Sequence, residues 1–287
     1  MVTFLDIVIA GLLLGGLYAL IAMGLSLQYG VARVLNISHG EFIMIGALTT
    51  WTLFQMGVSP LVSLVICGLL TFGLGFIIYR TIFRRLLKSS PSIAAFEGSS
   101  MLASFGLMFI IQNIVLIIWG PEIRGYSYLA IPVDLAGALF GANRIVTLGF
   151  AIGIGLAFYV FLSHTRMGKA IRAAAQDQAT AGLMGVNINH VLALCFGFGA
   201  ALAGIAGVLI SMSYPVHAFM GFEYTIIAII VVVLGGMGSI PGSFIGGFLL
   251  GLIGSIVTYF EPGLALAAYY AIFVILLWVR PTGIMGK

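Results

Sequence analysis

The chain has 287 residues, of which 62% are hydrophobic and only 7% are charged, with a mean hydropathy of +1.22 and a formal net charge of +4. A soluble domain carries roughly 25% charged residues, so this composition excludes a water-soluble globular protein. It also leaves no room for a large extramembrane domain. We therefore expect a single transmembrane domain over residues 1–287, solvated by the lipid bilayer, with no nucleic-acid partner.

Apolar stretches recur along the whole chain and predict an all-α fold. A membrane-spanning helix needs about 20 apolar residues, so the expected architecture is a polytopic transmembrane bundle of about 8–10 spans. The stretches lie at 5–29, 40–57, 61–79, 98–119, 145–162, 191–212, 224–236, 242–258 and 264–279.

Lysine and arginine are distributed asymmetrically about these stretches. If the N-terminus lies outside, ten of the twelve bases fall on the cytoplasmic side, and only Arg124 and Arg144 lie opposite. Because cytoplasmic loops are enriched in Lys and Arg, we expect an outside N-terminus and a cytoplasmic C-terminus. The cytoplasmic bases are Arg33, the cluster 80–88, the cluster 166–172, Arg280 and Lys287.

Two groups of polar residues are candidates for lining a solute pathway. One stands at the start of the second stretch, and the other recurs along one face of the fourth. Packing through interhelical hydrogen bonds of about 0.6 kcal/mol each is at least as good an explanation for the single residues. For His39 and Glu41 the favoured interpretation is a pair that caps the start of a helix. The first group is Asn36, His39, Gly40 and Glu41, and the second is Ser100, Ser104 and Gln112.

The stretch 224–236 is unusually short. At 1.5 Å per residue it covers about 20 Å, against a hydrocarbon core of about 30 Å. The glycine-rich residues after it cannot continue a regular helix, which predicts a short or broken helix near 224–242 beside a cavity. A re-entrant hairpin is the alternative. The candidate hinge residues are Gly235, Gly236, Gly238, Pro241 and Gly242.

The longest polar stretch, 164–190, is expected to be cytoplasmic. It contains an alanine-rich helical sequence in which Arg166, Lys169 and Arg172 are three residues apart and form a basic face. Such a helix could lie on a membrane surface with anionic lipid, or it could dock a cytosolic partner. The residues alone leave both interpretations open.

Motifs for catalysis are missing from the sequence. It contains no GxxxxGK[ST], HExxH, CxxC or GxSxG pattern, and its four histidines are scattered. We therefore expect no catalytic residues, no metal and no bound cofactor, so the chain is not predicted to be an enzyme. No acidic residue falls clearly at mid-membrane, which argues against an ion-driven secondary transporter.

Four segments in order, at 36–47, 165–185, 235–242 and 280–286, together resemble the branched-chain amino acid ABC transporter permeases of the LivH type. The resemblance covers essentially the whole chain. It implies an all-helical importer subunit of the prokaryotic inner membrane, for branched-chain or other amino acids. Urea, amides or small organic acids are alternative cargo, and a stand-alone secondary transporter is the less favoured class.

The resemblance also implies partners. The translocation pathway would form with a second, LivM-like permease, while two cytosolic ABC ATPases use the ATP and an extracytoplasmic solute-binding protein captures the solute. The segment 164–190 would dock on an ATPase, although it lacks the leading Glu of the wider family pattern. The candidate coupling residues are Arg166, Gly168, Lys169, Arg172, Ala181 and Gly185.

Overall fold

The computed structural model of the chain describes residues 2–135, 138–280 and 282–286. Pro281 and Lys287, which belong to the C-terminal motif and to the predicted cytoplasmic bases, lie outside the described residues. The helices are α1 (Val2–Ala32), α2 (His39–Gln55), α3 (Pro60–Ile78), α4 (Arg84–Ser89), α5 (Ile93–Trp119), α6 (Ala142–His164), α7 (Arg166–Gln176), α8 (Gln178–Leu183), α9 (Ile188–Ser211), α10 (Met220–Gly235), α11 (Ile240–Phe260) and α12 (Ala265–Val279).

The predicted all-α polytopic bundle is confirmed. Seven helical segments among the described residues are long and apolar enough to cross a membrane, and they contain α1, α3, α5, α6, α9, α11 and α12. A π-helical turn, Tyr79–Phe83, joins α3 to α4, and a 3-10 turn, Pro262–Leu264, leads into α12. Helices α2 and α10 are shorter, at 17 and 16 residues. Each of the nine apolar stretches falls on one of these nine helices, and α10 is the predicted short one.

Helices α1 and α9 form the centre of the bundle. They are the most buried of the long apolar helices, whereas α3, α5, α6 and α12 expose much of their apolar surface. Small residues allow the helices to cross closely. Gly11 and Gly15 of α1 pack directly on Leu252 and Phe248 of α11. Close backbone approach of this kind is the usual basis of helix association in lipid.

The two ends of the bundle differ. At one end, which we call the α7 end, Gln178 Nε2 donates a 3.0 Å hydrogen bond to the carbonyl oxygen of Val31 at the end of α1. At the other, the hairpin end, strands β1 (Pro132–Leu135) and β2 (Ala138–Gly141) pair in antiparallel register. The backbones of Arg124 and Val216 also pair at this end, as an isolated antiparallel β-bridge. No pattern in the sequence indicated these strands.

Candidate functional site

Helix α2 begins inside the bundle rather than at its surface. His39 Nε2 lies 3.1 Å from the carbonyl oxygen of Ile21, eleven residues before α1 ends at Ala32. That separation is about 16 Å along a helix axis. The connecting segment 33–38 therefore runs back into the protein, where irregular backbone needs polar partners.

Buried side chains provide those partners. Asn36 Nδ2 donates to Gln28 Oε1 at 3.0 Å, and Gln28 Nε2 donates to the carbonyl oxygen of Phe196 in α9 at 3.1 Å. Ser38 Oγ donates to Asn36 Oδ1 at 2.7 Å. The candidate residue Asn36 thus links α1 and α9 to the start of α2, and Gln28, which the sequence analysis missed, is the other half of this link.

The polar face of α5 meets the same segment at one position. Ser104 Oγ accepts a 3.0 Å hydrogen bond from the Ile37 amide and lies 3.2 Å from the carbonyl oxygen of Leu35. Ser100 is buried and bonds within its own helix. Gln112 is half-buried two turns further along α5. The structure therefore brings Ser104 to the backbone on either side of Asn36, at Leu35 and Ile37, but leaves Gln112 apart.

The first turns of the two short helices meet. The Gly40 amide donates a 2.8 Å hydrogen bond to Thr225 Oγ1, whose hydroxyl lies 3.1 Å from the carbonyl oxygen of Gly221. The backbones of Gly40 and Gly221 are in direct contact, and a side chain on Gly40 would overlap the Gly221 carbonyl. A candidate residue of α2 is thereby fixed to the start of α10.

Glu41 is fully buried at this junction. Among the described residues neither of its carboxylate oxygens has a hydrogen-bond partner. A Cβ built on Gly221 would lie 2.6 Å from Glu41 Oε1, so the carboxylate faces the first turn of α10, where helix N-termini favour negative charge. His39 bonds to α1 instead, so these two residues do not form the capping pair.

The predicted hinge is the tight turn between α10 and α11. Gly236 and Gly238 have φ values of 104° and 82°, in the left-handed region that favours glycine. Gly238 also packs on the backbone of Gly30 in α1. The next helix is capped by Ser239, whose Oγ accepts a hydrogen bond from the Gly242 amide at 3.2 Å, with Pro241 in its first turn.

The C-terminal residues complete this turn, which the sequence analysis did not anticipate. The amides of Ile284 and Met285 donate to the carbonyl oxygens of Leu234 and Gly235, at 2.9 and 3.0 Å. The last carbonyls of a helix have no partner within the helix. The C-terminal residues therefore cap α10.

Helix α7 is amphipathic and lies on the bundle through one face. Thr165 caps it by accepting a 3.0 Å hydrogen bond from the Gly168 amide. Gly168, Ile171 and Ala174 are buried. The three predicted bases Arg166, Lys169 and Arg172 are exposed, in agreement with a basic outer face.

Helix α8 carries the tip of the segment 164–190, which we call the predicted coupling segment. Asp177 accepts hydrogen bonds from the Ala179 and Thr180 amides and from the Thr180 hydroxyl. These bonds, of which the one from the hydroxyl has the largest effect, lower the pKa of the Asp177 carboxyl group.

The remaining residues of this tip differ in exposure. Ala181 is buried, and Gly185 is exposed with a φ of 87°. Leu183 and Met184, which the sequence analysis missed, are 88% and 82% exposed.

A cavity of about 250 Å³ lies between α7 and the turn that joins α10 to α11. Ile171 and Arg172 of α7 line one side of it, and Gly238 and Ser239 line the other. Ser26 of α1 also lines the cavity, and its Oγ is buried without a hydrogen-bond partner among the described residues.

This fold defines a multi-pass helical membrane protein whose short helices meet inside the bundle. Residues 7–278 match the family described as the permease component of branched-chain amino acid transport systems. The chain belongs to this permease family.

Individual relatives agree with this assignment. The chain is 31% identical to the high-affinity branched-chain amino acid transport permease protein LivH of Salmonella typhimurium, over 99% of this chain and 96% of the relative. It is 32% identical to BraD of Pseudomonas aeruginosa, with the same coverage. A structure of PsaBC from Streptococcus pneumoniae in complex with Fab shares the fold, with a TM-score of 0.52 and 14% identity over 95% of this chain and 91% of the other.

Proposed function

We propose that this chain is a permease subunit of an ATP-driven importer for branched-chain amino acids. The observation that carries the proposal is the family match over nearly the full length, together with relatives named as high-affinity branched-chain amino acid permeases. The chain itself contributes no catalytic step. A second permease would complete the pathway, a solute-binding protein would deliver the solute, and two separate ATPases would hydrolyse ATP.

The distribution of charge supports an orientation for the subunit. Nine of the described Lys and Arg residues lie at the α7 end, whereas Arg124 and Arg144 lie at the hairpin end. Because Lys and Arg favour the cytoplasmic side, the α7 end is the cytoplasmic one and the N-terminus is outside. The exposed segment 164–190 would then face the ATPase.

The proposed coupling route runs from the ATPase through α7 and α8 to the hinge turn. Gln178 bonds to the end of α1 at Val31, and α7 shares a cavity with Gly238. A displacement of α8 would therefore act on the end of α1 and, through the contact of Gly30 with Gly238, on the α10–α11 turn. Helix α10 would carry it on to the junction with α2. An ATPase that binds two permease states with different affinity shifts the equilibrium between them.

Reconstitution tests the function. The chain, its companion permease and the ATPases are placed in liposomes, and binding protein loaded with labelled leucine is added outside. We expect uptake that requires ATP and the binding protein. Uptake by this chain alone under an ion gradient would instead support a secondary transporter. A binding protein that retains urea, amides or organic acids rather than leucine would change the cargo but not the class.

A further inference from the structure

A second polar site lies at the α7 end, away from the α2–α10 junction. It is a cavity of about 180 Å³ between the π-helical turn with α4 and the start of α9. We call it the arginine pocket, and its lining residues are Arg80, Arg84, Asn187, Asn189 and His190. Arg80 and Arg84 belong neither to the candidate pathway residues nor to the segment 164–190, whose last residues supply the rest of the lining.

The chemistry of the arginine pocket suits an anion. None of its lining residues is acidic, and two of them carry guanidinium groups. Arg84 Nε is buried without a hydrogen-bond partner among the described residues. Guanidinium groups bind phosphate oxygens through paired hydrogen bonds. The start of α9 adds the partial positive charge of a helix N-terminus.

The π-helical turn explains why both arginines face this pocket. Tyr79 and Phe83, inside the turn, are fully buried and pack on Phe196 of α9. Arg80 and Arg84 each follow one of these anchored aromatic residues and lie outside the core. Single π-helical turns within long helices frequently occur at functional sites.

The surroundings favour a lipid as the source of the anion. Leu70, Leu74 and Ile77 of α3 are exposed, and their spacing places them on one face of the helix that leads to Arg80. This apolar face can hold an acyl chain while the arginines hold the head group. Basic pockets between transmembrane helices are known to bind anionic lipid head groups.

We infer that the arginine pocket binds the phosphate of an anionic phospholipid whose acyl chain lies along Leu70, Leu74 and Ile77. The test is native mass spectrometry of the full-length permease in detergent, titrated with phosphatidylglycerol. Hydrogen bonds to charged groups are strong, so we expect R80Q/R84Q to weaken retention at least about tenfold. The Arg84→Lys variant, which keeps the charge but not the fork geometry, should fall between this variant and the wild type.

The chain offers a matched control. R85Q/K88Q removes the same charge from the same segment, but both side chains are exposed and neither lines the pocket. This variant should retain phosphatidylglycerol within about twofold of the wild type, because exposed charges contribute little. Equal loss in the two double variants, or equal retention of phosphatidylcholine, would overturn the inference.

Two further measurements on the wild type need no variant to fold. Phosphatidylglycerol with a photoreactive acyl chain should label the peptide that contains residues 70–77, and labelling confined to other helices would contradict the placement. Inorganic phosphate at equal concentration should not displace the lipid. Displacement of the lipid by phosphate would assign a soluble anion and overturn the lipid source.

Discussion

The backbone of Gly40 in α2 packs directly on the carbonyl of Gly221 in α10. Thr225 strengthens this contact by accepting a 2.8 Å hydrogen bond from the Gly40 amide. Two short helices that each start inside the bundle are thereby joined at their first turns. No side chain separates the two backbones at this junction.

Gly40→Ala tests how tightly this junction is packed. The added methyl group overlaps backbone atoms, which cannot rotate away as a side chain can, so we expect the free energy of unfolding to fall by about 1–3 kcal/mol. Thermal unfolding of the purified protein, followed by size-exclusion chromatography, measures the change. Gly73→Ala in α3 is the control, because a Cβ there has no atom within 4 Å. Equal melting temperatures for the two variants would contradict the close contact.

The helical bundle could be predicted because long apolar stretches indicate membrane-spanning helices. The short helix α10 could be predicted from the length of its apolar stretch alone. The course of residues 33–38 could not be predicted, because it depends on partners far away in the sequence. Ser104 and Leu35 are 69 residues apart, and no local pattern records that they are paired. The cap on α10 by Ile284 and Met285 was missed for the same reason.

In the predicted coupling segment, the charged residues could be recognised from the sequence, but the exposed apolar residues could not. Its basic face was predictable because Arg166, Lys169 and Arg172 stand out in a chain with few charges. Leu183 and Met184 carry no such contrast in a sequence that is 62% hydrophobic. Only the structure shows that they are exposed at the tip of α8.

Glu41→Gln separates the stability of the junction from its function. The Glu41 carboxylate is buried without a hydrogen-bond partner among the described residues, and an unsatisfied buried group costs about 1–3 kcal/mol. We expect the variant to be at least as stable as the wild type, but to transport leucine more slowly, because the Glu41 side chain faces the first turn of α10. Glu223→Gln, exposed in the first turn of α10, is the control. A lower melting temperature for Glu41→Gln would mean that the carboxylate has a stabilising partner.

Gly238→Leu tests the hinge turn. The residue has a φ of 82°, and its Cβ would lie 3.1 Å from the Gly30 Cα, so we expect loss of ATP-driven uptake. Gly57→Leu carries the same backbone cost, since Gly57 has a φ of 85°, but it has no atom within 4 Å of a Cβ. Both variants should lose about 1–2 kcal/mol from the left-handed backbone, and only Gly238→Leu should stop uptake in proteoliposomes. Equal uptake by the two would exclude a role for the contact with Gly30.

Asp177→Ala removes the cap of α8. The hydrogen bonds from Thr180 and Ala179 lower the pKa of Asp177 below its ordinary value of 3.8, so the cap stabilises α8 fully above that pH and is lost as the pH falls through the lowered pKa. We therefore expect the loss of amide protection in α8 to be constant from about pH 5 to 8. Hydrogen exchange with mass spectrometry measures it. Asp177→Asn, which keeps an acceptor oxygen, should retain most of the protection, and a loss equal to that of Asp177→Ala would show that charge rather than capping matters.

The exposed pair Leu183 and Met184 provides the sharpest test of the coupling segment. Two adjacent large apolar side chains at the tip of a polar segment gain free energy only when a partner covers them, because burial of apolar area is favourable by about 25 cal/mol per Å². L183S/M184S should therefore leave the melting temperature of the isolated permease unchanged while reducing ATPase association at least about tenfold.

Ile93→Ser is the control, since Ile93 is 67% exposed at the same end of the bundle but belongs to α5. Co-purification of the ATPase with each variant, measured at equal permease amounts, separates the two surfaces. Normal ATPase binding by L183S/M184S would show that docking does not depend on the tip of α8.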